Sequence, residues 1–141
     1  MKAHPTLGGE ILADFQSPEL VMGSEIARFH HERWDGGGYP ARRKGEEIPL
    51  AARIVNICDQ YDALRNKRPH KEAWSHETAI DILKNGDKRT MPSHFDPQVH
   101  QVFLAHHQVF AEMYESLSDG PEPSQSEPED PARGSAQRSS E

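Results

Sequence analysis

Apolar residues along this chain recur at intervals of three and four and nowhere alternate with polar ones over the length of a strand, so every periodic segment predicts a helix. Leu7, Ile11 and Phe15 are spaced by four behind Pro5, which suits a first helical position, and the run closes near Gln16. Ser17 is placed to cap a second helix, with Pro18 in its first turn, Leu20, Ile26 and Phe29 along it, and His30 and His31 at its C-terminal end. From Asp35 to Ile48 the period disappears for about fourteen residues, a length more typical of binding loops than of connectors. After Pro49 a stripe of Leu50, Ile54, Ile57, Tyr61 and Leu64 resumes, with Asp59 off it. Ser75 opens a short helix through Leu83 that Asn85 and Gly86 end. Asp96 and Pro97 open the last helix, whose Val99, Phe103, Phe110 and Leu117 are expected to face inward. The pattern contains no internal repeat and predicts an all-α fold.

Composition narrows this picture. With 141 residues, 34% of them hydrophobic, and a mean hydropathy of -0.85, the chain has room for one small domain with a thin core. No run approaches the roughly 18 apolar residues of a membrane span, and no basic-then-apolar leader precedes the first helix, so a soluble cytoplasmic protein is expected. The net charge of -7 argues against a DNA-binding domain. Residues 118–141 hold six acids against two arginines, so they carry -4 of that charge and leave -3 for the body. That segment has four prolines, six serines and no large apolar residue, so it is expected to be a disordered acidic tail behind a domain of residues 1–117. The single cysteine, Cys58, excludes an internal disulfide and any multi-thiolate metal site; metal chemistry would fall to the nine histidines and the carboxylates.

Residues 30 to 40 read His30-His31-Glu32-Arg33-Trp34-Asp35-Gly36-Gly37-Gly38-Tyr39-Pro40, and no packing requirement asks for this order. Adjacent helical residues point about 100° apart, so the two imidazoles cannot share an apolar face, yet both can reach metal ions beside the helix. Gly36, Gly37 and Gly38 permit backbone angles and close approach that side chains forbid, and Tyr39 offers a ring and a phenol to a nucleotide. His4 precedes a proline and sits at a helix entrance, where an isolated histidine is ordinarily a surface residue. Asp59 shares a helix face with Ala52, Val55, Asp62 and Ala63, where an unpaired carboxylate would be costly and a metal or a hydrogen-bond partner would resolve the cost. Imidazole and carboxylate together suit iron, manganese or zinc, and spacing does not choose among them. Glu32 and Asp62 are expected to orient ligands rather than to bind metal.

Arg68 and Lys71, three apart beyond Asp59, have the fork and ammonium to hold phosphate oxygens, although exposed basic residues are usually only solvated. Arg42, Arg43 and Lys44 suit either an anionic ligand or a protein partner. His70, His76, His94, His100, His106 and His107 lack a glycine turn or acidic motif beside them and are expected at the surface. Cys58 is expected to act as a small core residue.

The HHERWDGGGYP string is similar to the signature of HD-GYP domains, a branch of the HD metal-dependent phosphohydrolases. Three further blocks agree in order: His4-Pro5-Thr6-Leu7-Gly8 with Ile11-Leu12, then Ile48-Pro49-Leu50-Ala51-Ala52-Arg53-Ile54, then Cys58-Asp59-Gln60-Tyr61-Asp62-Ala63-Leu64 running to Arg68-Pro69-His70-Lys71. The resemblance covers roughly residues 1 to 117 and implies an HD-domain-like helical bundle. It also implies that His4, His30, His31 and Asp59 are metal ligands, that the metal is iron or manganese in a two- or three-metal cluster, and that Arg68 and Lys71 contact substrate phosphates. The implied activity is hydrolysis of cyclic di-GMP by a metal-activated water. The implied partners are diguanylate cyclase domains.

The His-Asp pair that names the superfamily belongs upstream of His4, and the 141 residues contain no His-Asp dipeptide. The bundle is therefore expected to be N-terminally incomplete, with Met1 an internal codon taken as a start. Residues 1–141 alone are then expected to be poorly folded or self-associated, metal-poor and inactive. The alternative from a different class is a non-catalytic module that binds a signalling partner through Gly38-Tyr39-Pro40.

Overall fold

The computed structural model describes residues 2–118, so all of the expected acidic tail but Ser118 lies outside the described residues. Within them run six helices: α1 (His4–Leu12), α2 (Pro18–Phe29), α3 (Leu50–Arg65), α4 (His76–Asn85), α5 (Pro97–Ala105) and α6 (His107–Ser118). Short 3-10 turns at Gly45–Glu47 and Pro92–His94 interrupt the loops, the first inside the stretch expected to be without structure. No strand occurs among the described residues, and an isolated two-residue bridge joins Arg68 to Lys71 after α3. The chain is all-α.

Local chemistry sets most helix ends. The Ser17 hydroxyl accepts from the Leu20 N–H at 3.3 Å and the Ser75 hydroxyl from the Thr78 N–H at 3.2 Å, satisfying donors that the helix itself leaves open. Asp96 does the same for Gln98 and Val99 at the start of α5 while its other oxygen takes Arg53 Nη1 at 2.5 Å, joining α5 to α3. Burial pushes the Asp96 carboxyl up, but the bonds from Arg53, Gln98 and Val99 outweigh it and hold the group below the usual carboxylate range.

The first two helices form an antiparallel pair that packs through small residues. Ser24 donates to the Gly9 carbonyl at 3.0 Å, a side chain at Gly8 would meet Ala27, and Leu12 lies against Gly23. This close approach brings the start of α1, and His4 with it, against the end of α2. It also corrects the reading of the first helix. The buried residues of α1 are Pro5 and Gly9, whereas Leu7 and Ile11 are 59% and 65% exposed, and Phe15 stands in the loop beyond the helix end at Leu12.

Helix α3 is the centre of the bundle. Ile57, Tyr61 and Leu64 on it pack with Ala79, Ile82 and Leu83 of α4, Phe95, and Phe103 of α5. Leu50 and Ile54, at the N-terminal end of the same stripe, are exposed and border an apolar groove of about 320 Å³ that runs between α3 and α5. None of His4, His30 and His31 lines this groove. The last helix differs from expectation: it breaks at His106 into α5 and α6, so that Phe103 and Phe110 meet at 4.6 Å while Leu117 is 81% exposed.

The histidines expected at the surface also need correcting. His76 is buried: the Arg65 guanidinium donates to the Tyr61 hydroxyl (2.7 Å), the hydroxyl is hydrogen-bonded to His76 Nδ1 (2.9 Å), and His76 Nε2 is 2.8 Å from His107 Nδ1. His94 and His100 are half-buried, the latter bonded to the Leu83 carbonyl at 2.8 Å, and His70 and His106 are exposed as expected. Burial, then His107 and Arg65, lower the His76 pKa, against smaller opposing effects of Glu77 and Glu115. An unfolded histidine takes its proton near pH 6.5, so below that value the unfolded chain binds a proton that folded His76 refuses. Stability is therefore expected to fall as pH drops from about 6.5 towards the folded pKa and to be insensitive to this group above it. Urea midpoints at pH 7.5 and 5.5 check this: the drop should shrink in His76→Gln, and an unchanged drop would exclude His76 as its source.

Candidate metal centre

The centre is assembled where the start of α1 meets the end of α2. His4 begins α1, His30 caps α2, and His31 follows it, leaving the helix just where the glycine loop begins. One ligand-type nitrogen from each of the three lies within 4.8 Å of the others. His4 Nε2 and His31 Nε2 are 3.0 Å apart, and the His30 and His31 rings have centroids at 4.0 Å. The His30 Nδ1–H donates to the carbonyls of Ile26 (2.9 Å) and Ala27 (3.1 Å), which fixes the tautomer and leaves Nε2 with its lone pair. Burial, with His30 next, lowers the His31 pKa; Asp59 opposes this and His4 adds to it, so the imidazole is kept neutral, the form that ligates metal. Three converging imidazoles beside a carboxylate fit a divalent transition metal.

Asp59 is brought close without joining the tight cluster. Its charge acts on His31, and it adds to the burial that raises the Tyr39 hydroxyl and the Cys58 thiol. The expectation that its carboxylate is enclosed by small apolar residues is wrong, because Asp59 is exposed on α3 and needs no partner to offset desolvation. Cys58 is half-buried and packs against the core, as expected.

The loop is tied back onto the histidines by main-chain bonds. Gly36 has φ +84, and Gly37 donates to Asp35, whose carboxylate also pairs with Arg33. At Gly38 a side chain would stand 2.4 to 2.6 Å from the backbone of His31, Glu32 and Arg33, so only glycine allows this approach. The next residue completes the contact: the Tyr39 N–H donates to the His31 carbonyl (3.2 Å) and its ring stacks on the His31 imidazole at 4.9 Å. Lys2 lies over the other part of this arrangement, 5.5 Å from the Tyr39 ring centre. The Tyr39–Pro40 peptide is cis, and Pro40, Ala41 and Arg42 are exposed.

Glu32 is 2% exposed, and its carboxylate accepts the N–H groups of Ala41 (2.6 Å) and Arg43 (3.0 Å). It therefore orients the loop rather than a ligand side chain. Asp62 is exposed, and its main-chain carbonyl accepts from the Asn66 side-chain amide at 3.0 Å. Arg68 and Lys71 exchange main-chain hydrogen bonds in the turn beyond α3; the Lys71 ammonium lies over Trp74 and acts on Asp87. Of the other loop cations, Arg43 stacks over Phe29 and donates to the Glu47 carbonyl, whereas Arg42 and Lys44 face solvent. Sequence reasoning missed Asn56, whose Nδ2 donates to the carbonyls of His30 (2.8 Å) and Glu32 (3.0 Å). Its one signal was position, three residues before Asp59 on the same helix face.

A family model described as HD domain matches residues 1–99. The chain is 41% identical over 124 residues to a cyclic di-GMP phosphodiesterase of Vibrio cholerae, covering 84% of this chain and 24% of that protein. It is 37% identical over 119 residues to a cyclic di-GMP phosphodiesterase of Thermotoga maritima, covering 84% of this chain and 31% of the relative. It is 38% identical over 119 residues to a 3'3'-cGAMP-specific phosphodiesterase of Vibrio cholerae, again over 84% of this chain and 22% of the relative. The chain thus spans about a quarter of the length of the curated relatives it matches. No helix among the described residues is long and apolar enough to cross a membrane. A match over residues 1–99, together with the histidine pair, glycine loop and Tyr39-Pro40 in one folded unit, makes this chain a member of the HD domain family, in its HD-GYP branch.

Proposed function

We propose that the chain forms the metal- and phosphate-binding part of a cyclic di-GMP phosphodiesterase that serves bacterial second-messenger signalling in the cytoplasm. The observation that carries this reading is the convergence of His4, His30 and His31 nitrogens beside Asp59. HD domain phosphohydrolases are metal-dependent, and these four residues would hold iron or manganese, in a cluster of two or three metals. A bound metal would act as a Lewis acid that makes hydroxide available at neutral pH and neutralises phosphate charge.

The remaining work falls to the protein. The His30 Nδ1 bonds and the Tyr39 stack hold two of the imidazoles in orientation, so little rotamer freedom is lost on binding. Tyr39, at the edge of the cluster, offers a ring for a guanine base. Arg68 and Lys71 would take phosphate oxygens by charge-assisted bonds. The relatives named for 3'3'-cGAMP keep the substrate class a cyclic dinucleotide, and those named for cyclic di-GMP favour two guanines.

Calorimetry of cyclic di-GMP binding to the metal-loaded chain tests the assignment. Arg68→Ala and Lys71→Ala should each cost about 1.5 to 3 kcal/mol, the worth of a hydrogen bond to a charged group, and leave metal content unchanged. His106→Ala, at an exposed position between α5 and α6, should do neither. Equal losses in all three would remove Arg68 and Lys71 from the site. A second reading, a module that engages diguanylate cyclase domains through the loop, draws support from the exposure of Pro40, Ala41 and Arg42 at its tip.

A further inference from the structure

Asn56 stands in the first half of α3, below the loop, with its side-chain amide turned towards the segment that carries the histidines. Nδ2 donates to two main-chain carbonyls, that of His30 at 2.8 Å and that of Glu32 at 3.0 Å. These are the carbonyls immediately before and immediately after His31, so one amide grips the chain on both sides of that residue. From the opposite side the same short segment is held by the loop: Gly38 approaches its backbone and the Tyr39 N–H bonds to the His31 carbonyl. His31 is thus fixed between α3 and the loop.

The arrangement has a cost that stability alone does not explain. Asn56 Oδ1 is buried and has no hydrogen-bond partner among the described residues, a condition that buried polar atoms rarely show. An apolar side chain on α3 would bury no orphan oxygen, though it would leave the two carbonyls unheld. What the amide contributes is therefore position. Asp59 lies three residues further along α3, on the same side of the helix, so the helix that grips the His31 backbone also carries the carboxylate beside the cluster.

We infer that Asn56 is a positioning residue of the metal centre, which sets where the His31 imidazole stands relative to the Asp59 carboxylate by clamping the main chain around His31 to α3. The inference rests on the reading of His4, His30, His31 and Asp59 as metal ligands. Asn56 touches no metal in this account; it acts through His31. Residues that support ligands in this way typically change metal affinity by about 10- to 100-fold when removed.

The test is a titration of the 141-residue chain with Co²⁺, whose visible absorption reports both affinity and ligand geometry. Asn56→Ala should bind Co²⁺ about 10- to 100-fold more weakly, with altered band intensities, while the metal-free variant still unfolds cooperatively. Asn56→Ser keeps one short donor, so its affinity should fall between alanine and the natural residue; it also serves if the alanine variant does not fold. Ile82→Ala is the control, because Ile82 is buried in α4 and packs in a core cluster that contains none of His4, His30 and His31. It should lower the melting temperature of the metal-free chain and leave Co²⁺ affinity and spectrum as they are in the natural chain. Natural affinity and spectrum in Asn56→Ala would overturn the role of Asn56 and leave the metal centre standing. A parallel loss in Ile82→Ala would also overturn it, by showing that general stability is what the titration reads. A natural chain that unfolds cooperatively yet develops no Co²⁺ bands would overturn the metal centre itself, and the role of Asn56 with it.

Discussion

Replacing His31 by alanine is expected to weaken divalent-metal binding by more than about 100-fold, beyond the range that supporting residues reach. The expectation follows from its place in the cluster. Its Nε2 is 3.0 Å from that of His4, its ring centre is 4.0 Å from that of His30, and burial keeps it neutral. Removing it leaves two imidazoles on separate helices and takes away the imidazole on which the Asp59 charge acts. His106→Ala should bind metal as the natural chain does, since His106 is exposed where α5 gives way to α6. Calorimetry with Mn²⁺ measures both, and an unchanged His31→Ala would remove that residue from the ligand set.

Gly38→Ala is expected to destabilise the fold by roughly 2 to 4 kcal/mol, which is large for the exchange of one hydrogen atom for a methyl group. The added carbon would stand 2.4 Å from the Arg33 nitrogen, 2.5 Å from the His31 oxygen and 2.6 Å from the Glu32 Cα. These are backbone atoms, so no rotamer change makes room. The loop must lift, which breaks the bond from the Tyr39 N–H to the His31 carbonyl and unstacks Tyr39 from His31. Urea unfolding at pH 7.5 reads the stability and metal titration reads the second effect. Gly45→Ala is the comparison, because a side chain there meets nothing within 4 Å, although its φ of +59 carries a backbone strain of its own. A Gly38→Ala change no larger than that of Gly45→Ala would show that the loop does not depend on close approach.

What the sequence made legible was decided by locality. Helices α2 and α4 are bounded by Ser17, Ser75 and Gly86, whose effect reaches only a few residues, and their limits were read nearly as they stand. The histidine pair and its glycine loop were read as a site because the residues that build it are contiguous. Properties that depend on a distant partner were not legible. The side of α1 that is buried is set by Gly9 meeting Ser24 and Arg28 across the helix pair, so the apolar period of Leu7 and Ile11 pointed to the wrong face. His76 is buried because Tyr61, fifteen positions earlier, supplies a hydroxyl to its ring. Asp59 was expected in an enclosed place and is exposed, because its helical neighbours describe only its own helix. Asn56 carries no mark in sequence beyond its place three residues before Asp59: an asparagine in a helix is commonplace until its amide is seen between two carbonyls.

The most direct test of the central claim is hydrolysis of cyclic di-GMP by a chimera. Residues 2–118 of this chain would replace the matching segment of the Vibrio cholerae cyclic di-GMP phosphodiesterase to which it is 41% identical, so that every other part of the enzyme comes from the relative. If His4, His30, His31 and Asp59 bind metal for catalysis, the folded, metal-loaded chimera hydrolyses cyclic di-GMP. Asp59→Asn or His31→Ala within the exchanged segment then lowers the rate by more than about 100-fold. A folded, metal-loaded chimera that leaves cyclic di-GMP intact, or one whose hydrolysis is indifferent to both substitutions, would contradict the account.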